Sequence, residues 1–247
     1  MTKLPLELLD LYKTGTIIDK NGNERQVDSS ISEAEAEILV QVVKELKARK
    51  TLETGVAFGA SACAICFGKD ICNENIHYGV DPNQNDFYGG AALALLDRVK
   101  LSHQFKLLEG PSHIMLPQLL NDNIKIDFAF IDGWHTFDYT LIDFFLIDKL
   151  LSPGGIVAFH DMQGLSKQKV LNFVLSHRRY KIEKKYRVVG NERLMKTIKF
   201  FVWRLIKEPR LLFSWFHWNY QLRNSSGLIV LRKIEDYEPN FDYFSNF

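Results

Sequence analysis

The stretch from Thr51 to Ser61 constrains this chain more than any other. Thr51, Leu52, Glu53 and Thr54 read as the end of a buried strand, Gly55 and Gly59 bound a turn, and Ala60 and Ser61 open a helix. Glycine lets a backbone approach a ligand where a Cβ would collide. The first turn of the helix carries N–H groups with no intrahelical partner, which suits a polar ligand. Glu53, at the strand tip, sets a carboxylate beside that opening. The expected ligand is therefore small and polar, with a cationic group.

The chain around this turn repeats the same unit. Ser32-x-x-Glu35 is a capping box, and Ile38, Leu39, Val42, Val43 and Leu46 recur at helical spacing to about Ala48. That helix leads into the strand at Lys50–Glu53. After the turn, Ala60–Phe67 reads as a helix stopped by Gly68, and Ile76–Val80 as a strand ending on Asp81 and Pro82. Ala91–Val99 is a helix, Gln104–Glu109 a strand and Leu116–Asn121 a short helix. Ile126–Gly133 is a nearly continuous apolar run, as expected of a central parallel strand covered on both faces. Tyr139–Leu151 is a helix closed by Ser152-Pro153-Gly154-Gly155, and Ile156–Asp161 is the fifth strand. The alternation predicts an α/β fold: a doubly wound, mostly parallel Rossmann-like sheet with helices on both faces. Such sheets bind ligands beyond the carboxyl ends of their strands. Glu53, Asp81, Glu109, Asp132 and Asp161 all fall at those ends, a row of five acids.

The flanks are less regular. Residues 1–28 read as a lead-in, with one short helix at Leu4–Tyr12 and turn chemistry at Thr14-Gly15 and Asn21-Gly22-Asn23. Residues 29–190 and 225–236 are expected to form the main domain. Its late hairpin, Tyr180–Val189 with Ser226–Arg232, is interrupted by an insertion at 191–224 that reads as two helices broken at Glu208-Pro209. Residues 237–247 are an aromatic, acidic tail. Net charge is only +1, yet Leu165–Arg210 holds fourteen lysines and arginines against three acids, which points to an anionic partner. The insertion also carries Trp203, Trp215 and Trp218. It has three readings: a helical cap on the sheet edge, a substrate lid or homodimer contact, and peripheral attachment to an anionic membrane surface. No RNA-binding motif accompanies these aromatics, so nucleic acid is not an expected partner.

Composition, 46% hydrophobic and 25% charged, is that of a soluble globular protein. No apolar run reaches the roughly 18 residues of a membrane span. The first ten residues carry acids and lack a signal-peptide core, so a cytoplasmic location is expected. Of the three cysteines, Cys63 and Cys66 have redox-motif spacing but fall in the helix after the glycine turn, where they read as small buried hydrophobes.

Several motifs now stand in order: Glu53-x-Gly55-x-x-x-Gly59-x-Ser61, Gly79-Val80-Asp81-Pro82, Glu109-Gly110-x-Ser112, Ile131-Asp132-Gly133-x-His135, Asp143, Leu151-x-Pro153-Gly154-Gly155 and Phe159-His160-Asp161. Together, over about residues 30–165, they resemble the class I S-adenosylmethionine-dependent methyltransferases, and among these the small-molecule O-methyltransferase branch. The resemblance implies that Glu53, Thr54 and the Gly55–Ser61 turn surround the methionine end of S-adenosylmethionine. It implies a ribose contact at Asp81, an adenine-side loop at Gly110 and Ser112, and a cofactor contact at Asp132. A dinucleotide site would want glycine in the middle of the turn, where this chain has Ala57.

Methyl transfer from a sulfonium is an in-line displacement, which requires alignment of nucleophile and methyl and removal of a hydroxyl proton. His135, working with Asp132, is the candidate general base, because imidazole titrates near neutrality. His135 is also readable as a residue that only fixes its loop. Catechol-type members of the resembled family hold magnesium on an aspartate after the fourth strand and an Asp-Asn pair after the fifth. Asp132 matches the first, whereas His160-Asp161 departs from the pair. A divalent metal on Asp132 and Asp161 therefore stands beside a reading in which His160 and Asp161 shape the pocket floor. The expected function is methyl transfer to a hydroxyl of a small molecule, with a sugar or glycoconjugate among the candidates. The alternatives are a metal-dependent hydroxylase on the same fold and a non-catalytic cofactor-binding module.

Overall fold

The computed structural model describes residues 4–70, 74–162, 164–186 and 227–247. The chain opens with α1 (Leu6–Thr14) and a hairpin of β1 (Thr16–Ile18) and β2 (Glu24–Gln26). The alternating body is α2 (Glu33–Leu46), β3 (Lys50–Thr54), α3 (Ala60–Phe67), β4 (Ile76–Val80), α4 (Ala91–Arg98), β5 (Phe105–Leu108), α5 (Ser112–Asn121), β6 (Ile126–Ile131), α6 (Phe137–Leu150), β7 (Leu151–Phe159) and α7 (Leu165–His177). Two late strands, β8 (Tyr180–Tyr186) and β9 (Leu228–Lys233), complete the sheet.

The sheet runs β5-β4-β3-β6-β7-β9-β8. β3 pairs in parallel with β4 on one side and β6 on the other, so Thr54 lies opposite both Val80 and Ile131. Strand order reverses at β3, and the crevice left at that reversal is where a doubly wound sheet takes its ligand. β9 runs antiparallel between β7 and β8. The α/β expectation therefore holds, including its late antiparallel hairpin. The insertion at 191–224, with its tryptophans and its three readings, lies outside the described residues.

Side-chain alternation along β6 shows how the two faces are filled. Phe128 and Phe130 enter the core shared with α2, α3 and α4. Ala129 and Ile131 enter the opposite core, with Phe144 and Ile147 of α6 and Val170 of α7. All four strand residues are at most 1% exposed. A strand buried on both faces in this way reads as an uninterrupted apolar run.

Four features differ from the sequence expectation or extend it. The turn-rich lead-in contains the β1–β2 hairpin, too short to show a strand period. Its Asp19 accepts hydrogen bonds from Asn23 N (2.9 Å) and Arg25 Nε (2.7 Å). Arg25 Nη1 in turn donates to Phe87 O (2.9 Å), which ties the hairpin to the loop after β4. Second, α5 begins at Ser112, with Pro111 as its N-cap, and it carries Pro117 in its interior. Third, buried Lys233 donates to Asp148 O and Leu151 O (2.5 and 2.9 Å), fixing the end of β9 to the junction of α6 and β7. Fourth, the tail packs back on α7: Tyr243 Oη donates to Ser176 O (2.6 Å), and Phe247 stands edge-on to His177. No helix among the described residues is long and apolar enough to cross a membrane.

Candidate functional site

The glycine turn is shaped by contacts within the protein. Gly55 has φ +83°, and a Cβ there would strike the main-chain carbonyl of Asp132. Gly59 has φ +86°, and a Cβ there would meet Cα and Cβ of Ala92 on α4 at 2.7 Å. The sequence reading gave both glycines to a ligand. The structure adds a second reason for them: each packs closely on a neighbouring segment, and both also line the cavity beyond the turn. Ala57 takes φ +46°, unfavourable for a residue with a Cβ. Asp81 holds it there, its Oδ2 accepting from Val56 N (3.0 Å) and Ala57 N (2.8 Å), while its Oδ1 accepts from Asn83 N (2.8 Å).

Beyond the turn lies a cavity of about 870 Å³. One wall is Thr54, the turn itself and Ser61 at the start of α3, where no side chain caps the helix N–H groups. Asp81, Asn83, Pro111 and Ser112 line a second side, and the segment Asp28–Ile31 and Tyr88 a third. The floor is Asp132, His135, His160 and Asp161, with Trp134 at the rim. Trp134 is 71% exposed. Behind the wall, the buried Asp143 carboxyl meets the hydroxyls of Ser112 and Thr54.

The floor is a network of carboxylates and imidazoles. His135 sits between two acids, with Nε2 3.3 Å from Asp132 Oδ1 and Nδ1 3.2 Å from Asp161 Oδ2. His160 sits between two more contacts, with Nδ1 3.0 Å from Asp132 Oδ1 and Nε2 3.3 Å from Glu35 Oε1. Lys167, buried on α7, donates to His160 O at 3.0 Å and lies 3.7 Å from Asp132 Oδ1. Burial by itself would lower the His160 pKa, but its hydrogen bonds to Asp132 and Glu35 carry it up to about 10. Burial would raise Asp132, but hydrogen bonds from His135 and His160 hold it at about 2. Burial lowers the pKa of Lys167 and raises that of Asp143.

These shifts define a stability window. The Asp132 contribution is full above its unfolded value near 4 and fades as pH falls toward 2. The His160 contribution is full below its unfolded value near 6.5 and fades as pH rises toward 10. The thermal midpoint is therefore expected to fall between about pH 6.5 and 10. His160→Gln should flatten that slope, and identical slopes in variant and wild type would remove His160 as its cause.

Asp132, His135 and Asp161 also offer three ligand atoms within 4.8 Å of one another, enough to hold a cation. Two carboxylates and one imidazole suit manganese, iron or zinc better than magnesium.

Residues 52–162 match the model of a family described as a methyltransferase domain. Relatives of the chain include caffeoyl-CoA O-methyltransferases of Petunia hybrida, 27% identical over 51% of this chain and 50% of theirs, and of Zea mays, 28% identical over 51% and 46%. Such matches span from 46% to 62% of the relatives' own length. An O-methyltransferase from Bacillus cereus, solved with S-adenosylhomocysteine, superposes with a TM-score of 0.67 at 14% identity, covering 94% of this chain and 93% of that one. One from Streptomyces achromogenes involved in tomaymycin synthesis, solved with S-adenosylmethionine, gives 0.66 at 13%, covering 94% and 91%. The sheet order and helix placement of this chain are thus shared with these solved O-methyltransferases.

The residues singled out in the sequence fall in three groups. Thr54, Gly55, Gly59, Ser61, Asp81, Ser112, Asp132, His135 and Asp161 all line the cavity. Gly110 lies just behind it, its N–H bonded to Asp81 O (3.3 Å). The row of five acids is corrected at two places. Glu53 is fully buried and faces into the sheet, 3.2 Å from Nε2 of buried His77, because it is the neighbour of Thr54 that reaches the cavity. Glu109 turns outward and accepts from Asn85 N (3.0 Å). Sequence reasoning missed Glu35 and Lys167 as parts of the floor. Glu35 carried a signal, as a capping residue, but Lys167 on its helix carried none. Cys63 and Cys66 are free and buried, and burial pushes the Cys66 thiol up to about 12, far from a reactive thiolate.

Proposed function

We propose that the protein transfers a methyl group from S-adenosylmethionine to a hydroxyl of a small molecule. The observation that carries this reading is the opening of the Asp81-anchored glycine turn and the Asp132–His135–Asp161 floor onto one cavity. The wall fits the donor chemically: the uncapped N-terminus of α3 suits its carboxylate. Asp81 retains acceptor capacity for a ribose diol beside its hold on the turn. S-adenosylmethionine supplies an electrophilic methyl on a sulfonium. The chain's own task is to orient the acceptor and take its proton. Nε2–H of His135 donates to Asp132, and Nδ1, which rests against Asp161, takes the hydroxyl proton when the acceptor oxygen comes between the two. Once protonated, Nδ1–H faces Asp161, which stabilises the imidazolium.

The test is transfer of labelled methyl from S-adenosylmethionine to catechol, caffeoyl-CoA and methyl glucoside. Transfer to oxygen of any of these supports the reading, and cofactor binding without transfer favours a non-catalytic module. His135→Ala is expected to lower kcat about 10²–10⁴-fold with cofactor affinity unchanged, and near wild-type turnover would reject the base.

A second reading places a divalent metal on Asp132, His135 and Asp161, where it would polarise the acceptor oxygen as a Lewis acid. Against it, Asp132 Oδ1 already faces the cations of the centre, His160 and Lys167. Dialysis against a chelator is therefore expected to leave the rate within about twofold, a change of less than about 0.5 kcal/mol in the barrier. A loss that manganese restores would favour the metal.

A further inference from the structure

We propose that Glu35 is a positioning residue of the reaction centre, holding His160, and through His160 the Asp132 carboxylate, from a helix cap. Its catalytic consequence rests on the methyltransferase reading, but its geometry does not. Glu35 uses its two oxygens for different tasks. Oε2 closes the capping box of α2, accepting from Ser32 N (2.9 Å) and Ser32 Oγ (2.8 Å). Oε1 points at His160 Nε2, 3.3 Å away.

A glutamate in a capping box ordinarily faces solvent, and glutamine serves there as well. This one is 5% exposed, and the ring it meets belongs to a residue that is 8% exposed. The carboxylate therefore answers a need beyond the cap. His160 bridges Glu35 and Asp132, one on each nitrogen, which fixes the ring's rotation about χ2. Fixing the ring fixes Asp132 Oδ1, and that oxygen also meets His135 Nε2. The chain of contacts runs from Ser32 through Glu35, His160 and Asp132 to His135. The same cap anchors the segment Asp28–Ile31, which lines the cavity. One residue thus ties the lead-in wall of the cavity to its floor.

The experiment compares ring ¹⁵N signals of the histidines in resting protein. Glu35→Gln keeps an acceptor for the cap and removes the charge facing His160. It is expected to move the signals of His160 and also of His135, although Glu35 makes no contact with His135. Ser32→Ala is the control. It weakens the cap, should lower the thermal midpoint, and should leave both sets of signals in place. With catechol as acceptor at saturating S-adenosylmethionine, Glu35→Gln should lower kcat about tenfold with KM for the cofactor unchanged, and should cost nothing further in a His160→Gln background. Unmoved His135 signals in Glu35→Gln, or equal shifts in Glu35→Gln and Ser32→Ala, would overturn the proposal. Absence of transfer by the wild type to catechol, caffeoyl-CoA and methyl glucoside alike would count against the reading of the reaction, and the ring signals would still decide the role of Glu35.

Discussion

Asparagine at position 132 is expected to lower methyl transfer by about 10²–10⁴-fold and to destabilise the fold. Asp132 Oδ1 accepts from His160 at 3.0 Å, faces His135 at 3.3 Å and lies 3.7 Å from the Lys167 ammonium. An amide is neutral and offers one acceptor where the carboxylate offered two. Turned either way, it leaves a donor facing a donor or two buried cations without their anion. Removing one partner of a buried ion pair costs about 3–5 kcal/mol. Asp132 is partly reached by the cavity, so the lower end applies, about 3 kcal/mol, or a fall of about 6–12 °C in thermal midpoint for a chain of this size. Transfer and melting should fail together here, whereas His135→Ala should lose transfer with a smaller fall in melting temperature, because His135 is half exposed. A variant at 132 that melts with the wild type would show that the network does not hold the floor together.

Alanine at position 55 should have the largest effect on the cofactor site. The left-handed φ of +83° costs an L-residue about 1–2 kcal/mol. The added Cβ would also meet the carbonyl oxygen and carbon of Asp132 and, at 3.2 Å, Cα of Gly133, all of them main chain. No side chain can swing aside, so the turn and the end of β6 must separate. That displacement pulls on Val56 N and Ala57 N, which Asp81 holds, and on Asp132 itself. Affinity for S-adenosylmethionine is expected to fall at least about 100-fold, equivalent to roughly 2.7 kcal/mol. Equilibrium titration measures it. Wild-type affinity in Gly55→Ala would mean that the ligand does not depend on the turn.

The elements most legible in the sequence were those whose limits are set locally. α3 and β4 run over the expected residues, because Gly59 and Gly68 bound the one and Pro82 follows the other. The capping box of Ser32 and Glu35 was equally plain. Depth was not legible. Adjacent strand residues point to opposite faces, so Thr54 lines the cavity while Glu53 is buried against His77, and the strand tip cannot be placed to that accuracy from pattern alone. Partners distant in sequence were hidden for the same kind of reason. Nothing near Gly59 says that Ala92 will pack on it, and nothing near Glu35 announces His160. The lead-in hairpin escaped notice because three-residue strands carry no period.

Titration calorimetry of the purified chain with S-adenosylmethionine tests the cavity's assignment most directly. About one cofactor should bind per chain, with affinity lost in Gly55→Ala and kept in His135→Ala, because the proposal gives the turn to the donor and the imidazole to the acceptor. No heat with either S-adenosylmethionine or S-adenosylhomocysteine, at concentrations that saturate a millimolar site, would contradict it.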